Sequence, residues 1–193
     1  MPSKILILLT LWLGTPTYVL AQSTNVKTVF LKESRLSING SSNVNDFECV
    51  YNDILSPDSL NHEIELGETS VEVKGDNLSM NVDSFECGKR GINRDFRKTL
   101  KSNVYPTIDI TLERLLLENG NPVIAEVVIK LAGISRMYQV QIQIEWGNDG
   151  EYRVLGSALV KMSDFNLDPP KALFGLVQVR DEMDIRFNLI VIH

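Results

Sequence analysis

The chain has 193 residues, 44% of them hydrophobic and 23% charged, and a mean hydropathy of −0.02. These values exclude a disordered tail and a polytopic membrane protein, and the length suits one domain. With 19 Lys and Arg against 25 Asp and Glu the chain is acidic, so no nucleic-acid partner is expected.

The N-terminus carries Lys4, then the apolar run Ile5-Leu6-Ile7-Leu8-Leu9-Thr10-Leu11-Trp12-Leu13, then Gly14, Pro16 and Val19-Leu20-Ala21. A charged start, a short apolar core and small residues at the cut predict a secretory signal peptide over 1–21. The apolar run is well short of the ~20 residues a membrane anchor needs. Residues 22–193 then form one exported, periplasmic or secreted domain. In an oxidising compartment the two cysteines, Cys49 and Cys87, each in a Phe-Glu-Cys context, are expected to pair. Their separation lacks the short spacing of a redox-active pair.

Short strand candidates come first: Arg35–Asn39, Phe47–Tyr51, Thr69–Val73 and Leu78–Val82. His62 lies between them and reads as a loop residue. Lys89–Lys101 breaks the pattern, because Ile92, Phe96 and Leu100 recur at helical spacing and Tyr105-Pro106 ends the run. Its other face carries Lys89, Arg90, Arg94, Arg97, Lys98 and Lys101, which suit an anionic lipid headgroup or membrane surface, or plain solvation. Long strands follow. Ile108, Ile110 and Leu112 alternate with polar residues, as do Tyr138, Val140, Ile142, Ile144 and Trp146, and Met183, Ile185, Phe187, Leu189 and Val191. One dry and one wet face marks antiparallel sheet. Asn119-Gly120 and Asp149-Gly150 are hairpin signals, and Gly133 marks a corner. Ser163–Gly175, with Asp168-Pro169-Pro170, reads as an irregular loop crossing a barrel end. The total is eight or nine strands, several of them 10–12 residues long. Strands of that length suit a barrel better than a sandwich.

Catalytic signatures are absent: there is no Gly-x-Ser-x-Gly, His-Glu-x-x-His, Gly-x-Gly-x-x-Gly or P-loop. No enzyme activity and no cofactor are expected. Two His and two Cys are too few for a metal site. Two glycosylation sequons, at Asn39 and Asn77, are of a kind common by chance.

Several stretches together resemble one family. Ser34–Phe47 is similar to the opening strands of YceI-like proteins. Met80–Ile108, ending Ser102-Asn103-Val104-Tyr105-Pro106-Thr107-Ile108, resembles their helix and following strand. Ile129–Arg136 resembles their turn between long strands. Met162–Pro170 and Gly175–Glu182 resemble their C-terminal loop and last strand. The resemblance implies an all-β fold, a single antiparallel eight-stranded lipocalin-like barrel with a short helix near one end. It also implies a channel holding a polyisoprenoid or similar amphiphilic lipid, and a possible homodimer.

The lining expected on that basis is Ile108, Ile110, Val140, Ile142, Ile144, Trp146, Phe187 and Leu189, with Phe96, Leu100, Phe165 and Phe174 near the mouths. A phosphate-bearing lipid would place its headgroup near Arg94, Arg97 or Lys98. Alternation cannot separate a hollow barrel from one packed solid, so a structural or interaction barrel without ligand stays open.

Overall fold

Alternating apolar residues commit most of the chain to strands with one wet and one dry side. In the computed structural model, which describes residues 23–53, 55, 59–147 and 150–192, thirteen strands and one α-helix form. In chain order they are β1 (Ser23–Phe30), β2 (Arg35–Ser42), β3 (Asp46–Tyr51), β4 (Leu60–Leu66), β5 (Ser70–Gly75), β6 (Leu78–Asn81), β7 (Phe85–Glu86) and α1 (Arg90–Thr99). There follow β8 (Thr107–Glu118), β9 (Asn121–Leu131), β10 (Ile134–Trp146), β11 (Glu151–Lys161), β12 (Lys171–Ala172) and β13 (Val177–Ile192). The expected signal segment lies outside the described residues, as does Asp149 of the second hairpin signal.

All pairings are antiparallel, and they close on themselves in the order β1-β4-β5-β8-β9-β10-β11-β13, with β13 returning to β1 through Val29↔Ile192 and Phe30↔Val191. This is an eight-stranded, lipocalin-like barrel. Three of its eight staves are jointed. β13 pairs with β1 at its C-terminal end and with β2 along Val179–Asn188, so β1 and β2 run in line. β4 pairs with β1 and β3 with β2, so β3 and β4 form the next stave. β5 and β6 both pair with β8, at Leu116–Arg114 and at Ile110–Thr107.

The joints sit side by side and are laced by hydrogen bonds. The Asp76 carboxylate accepts from the Asn61 backbone N–H (2.8 Å) and side-chain amide (3.0 Å). His62 Nε2 donates to the Asp76 carbonyl at 3.0 Å. Hydrogen bonding from Asn61 holds the Asp76 carboxyl below the usual carboxylate range. At the neighbouring joint the Ser34 hydroxyl donates to the Ile190 carbonyl (3.1 Å) and accepts from its N–H (2.9 Å). His62 therefore belongs to β4 and not to a loop, a correction to the sequence reading. β1 was also missed, because Ser23-Thr24-Asn25-Val26-Lys27 is mostly exposed and shows little alternation.

The hairpin between β8 and β9 turns at Asn119 (φ 50°) and Gly120 (φ 79°), the pair of left-handed residues that a two-residue turn requires. β9 and β10 turn likewise at Ala132 and Gly133, and a Cβ on Gly133 would lie 2.7 Å from the Tyr105 ring. Tyr105 thereby anchors the segment that leads from α1 into β8.

The densest core lies toward the helix end. Phe85, Phe165, Met80, Val82 and Val160 are wholly buried there, with Cys49 among them. Tyr51, Phe85 and Phe96 form a ladder of tilted rings with centroids 5.1 and 5.4 Å apart. Beside it Cys49 of β3 and Cys87, just beyond β7, form the expected disulfide. Asn93 of α1 secures the same corner. Its side chain accepts from the Cys87 N–H at 2.6 Å and donates to Glu86 at 2.7 Å.

Candidate functional site

α1 lies across one barrel end because its two faces differ. Ile92, Phe96 and Leu100 pack against the core, while Arg90, Arg94 and Lys98 stay in solvent. Lys101, at φ 54°, ends the helix. Under α1 lies a cavity of about 140 Å³. Its apolar wall includes Ile38, Phe47, Phe96, Met162, Val179 and Met183, and its rim carries Ser42, Asn45, Asp95, Thr99 and Lys171. A second space of about 20 Å³ continues into the barrel, walled by Leu36, Met80, Ile108, Ile110, Ile129 and Val160 among others. Ile38, Phe96, Leu100 and Met183 line both spaces, so the two are separated only by side chains.

The structure thus brings Phe96, Leu100, Ile108 and Ile110 together around one apolar space. Val140 is buried, and Ile142, Ile144 and Leu189 share its inward phase further along the barrel, half-buried. Phe187 packs its ring over Gly156 on the neighbouring β11, where no side chain competes for the room. The remaining expected residues do not line this space. Trp146 keeps the phase of Ile144 but comes at the end of β10, where the wall stops. It is 71% exposed, edge-on to Tyr152 at 4.7 Å. Phe165 is 0% exposed, and lies in solid core rather than at a mouth. Phe174 stands fully in solvent. Arg94, Arg97 and Lys98 do not reach the cavity: Arg94 pairs with Asp95 at 3.3 Å, Arg97 with Asp83 at 3.1 Å, and Lys98 is exposed. The cation on the rim is Lys171.

Met183 belongs to an alternating run that the sequence displayed. Phe47, Ile92, Met162 and Val179 were not legible as lining, because only closure of the barrel under α1 brings them together. Among the described residues no three His, Cys, Asp or Glu side chains gather as a metal site would require.

Below the cavity, Tyr138 donates from its hydroxyl to Asp164 at 2.8 Å and stacks on Phe165, with centroids 6.2 Å apart. This ties β10 to the turn after β11. Burial, and then the Asp164 hydrogen bond and charge, push the Tyr138 phenol up to about 12. A raised value favours the neutral phenol in the folded state. Its contribution to stability is therefore complete below the ordinary tyrosine value near 10 and is lost as pH rises through about 12. An alkaline spectrophotometric titration should show a late tyrosine step that Tyr138→Phe removes; an unchanged late step would assign it elsewhere.

No protein-family model and no curated protein matches the chain. Solved structures do. BcnA of Burkholderia cenocepacia aligns with a TM-score of 0.61 at 17% identity, over 82% of this chain and 96% of that one. A polyisoprenoid-binding domain from Saccharophagus degradans aligns at 0.59 and 14% identity, over 86% and 97%. A YceI protein of Campylobacter jejuni aligns at 0.47 and 16% identity, over 92% and 90%. The chain has the fold of BcnA and of the Saccharophagus polyisoprenoid-binding domain, an antiparallel barrel of the kind expected from the sequence.

Proposed function

We propose that the protein is an exported carrier or binding protein for a long apolar amphiphile of the isoprenoid type, held in its barrel. The observation that carries this reading is the apolar cavity under α1, with its polar rim and its continuation into the barrel. The mechanism is burial: at about 25 cal/mol per Å², a few hundred Å² of hydrocarbon gains several kcal/mol before ordering costs. A cavity of about 150 Å³ admits a benzene-sized group, so the resting cavity seats only one end of such a chain. Loading the rest moves Phe96, Leu100 and Met183 aside, and the flexible thioether of Met183 suits that task. The wall is apolar and the polar groups stand on the rim, an arrangement that favours carriage over catalysis. The polyisoprenoid-binding domain of like fold supports the same class of cargo. Export rests on the pattern of residues 1–21 and on the disulfide. No described helix is long and apolar enough to cross a membrane.

The narrowness of the inner space, about 20 Å³, favours a second reading, a barrel packed solid that serves as a structural or interaction module. Native mass spectrometry of the mature protein from its own compartment, before and after solvent extraction, decides between them. A discrete adduct that extraction removes is expected. A bare mass, with no uptake of an added polyprenol, would establish the packed barrel.

A further inference from the structure

Around the cavity, three large apolar side chains stand in solvent on the side away from α1. Val44 is 62% exposed, Leu176 74%, and Phe174 completely. They are held as one patch. The Asn43 amide donates to the Leu176 carbonyl at 2.8 Å and accepts from the Gln178 N–H at 2.9 Å, while the Gln178 side chain donates to the Gly175 carbonyl at 3.0 Å. Phe174 has φ 57°, a left-handed conformation that aromatic residues seldom take, so its backbone is held out of the ordinary strand path. The patch borders the cavity directly, because Asn45, Lys171 and Val177 all line it.

Across the cavity lies α1. Ile92, Asp95, Phe96 and Thr99 face the opening. At 100° per residue, Arg90, Arg94 and Lys98 fall on the opposite, solvent side. Lys89, Arg90, Lys98 and Lys101 have no carboxylate partner among the described residues. A strip of free cations on a chain of net charge −6 is a segregated charge, set beside exposed hydrocarbon.

We propose that this end of the barrel docks on an anionic phospholipid bilayer, Phe174, Leu176 and Val44 entering the headgroup region and the cations of α1 meeting lipid phosphates. A small exposed apolar patch with cations across an open cavity suits a fluid interface better than a fitted protein surface.

The test is co-sedimentation of the mature protein with vesicles of phosphatidylcholine alone and of phosphatidylcholine mixed with phosphatidylglycerol, neither containing isoprenoid. Binding should require the anionic lipid and weaken with salt. F174S/L176S and R90E/K98E, all at exposed positions, should each lower partition by about tenfold or more without changing the circular dichroism. Binding unaffected by either pair, or no binding to the anionic vesicles, would overturn the proposal. So would a concentration-dependent dimer in sedimentation velocity that Phe174→Ser abolishes. Because the vesicles carry no cargo, failure here bears on docking alone, while the adduct measurement bears on the cargo.

Discussion

C49A/C87A should unfold at markedly lower urea concentration than the wild-type protein, with a loss of about 4 kcal/mol for a closed loop of 38 residues. The bridge joins β3 to the residue after β7, so the loop that it closes contains β4, β5, β6 and β7. In the unfolded chain it removes freedom from all four strands. In the folded chain it lies against Phe85, where Val50↔Glu86 and Tyr51↔Phe85 already hold β3 to β7. The native pairing therefore survives the substitution, and the effect falls chiefly on the unfolded ensemble. Alanine leaves no buried hydroxyl to confuse the result. Reductant alone should act slowly on the native protein, since Cys49 is wholly buried. Equal urea midpoints for the variant and the wild type would mean that the unfolded chain is already compact across this loop.

Val179→Trp should abolish cargo binding while leaving the fold intact. Val179 is half-buried on β13 beside the irregularity that precedes Met183, and it lines the cavity under α1. An indole there fills the cavity from the wall, and the filling itself is neutral or stabilising. With the wild-type protein, a polyprenol at a hundredfold excess over Kd should add about 2.7 kcal/mol, roughly 5–10 °C in melting temperature for a domain of this size. The variant should show no such rise and no adduct by native mass spectrometry. Equal uptake by both would move the cargo's seat away from this cavity.

The parts of the fold that alternation writes plainly were legible from the sequence. β8 to β11 and β13 carry long two-sided runs, and Asn119-Gly120 marks their first hairpin. Ile92, Phe96 and Leu100 disclosed α1. What alternation could not disclose was the jointing of the other three staves. β1 opens on the polar Ser23-Thr24-Asn25, and β4 hides its phase behind His62 and Glu63. The candidate site divides in the same way. Ile108 and Ile110 were readable from their strand, whereas Val179 and Phe47 acquire their place only when β2, β3 and β13 close beneath α1. Trp146 shows the limit of periodicity, which gives the facing of a residue and not the height at which the wall ends. Arg97 shows another: a helix wheel finds the charged face but not the carboxylate of Asp83, outside the helix, that meets it.

The jointed staves also bear on how such a barrel tolerates change over time. Within a continuous strand such as β13, one residue gained or lost turns every later side chain from the inside to the outside. Between β1 and β2, or between β3 and β4, the same event is absorbed in the joint, and both halves keep their facing. The seam of joints is therefore where length variation among descendants of this chain should accumulate, and the unbroken staves are where it should be purged.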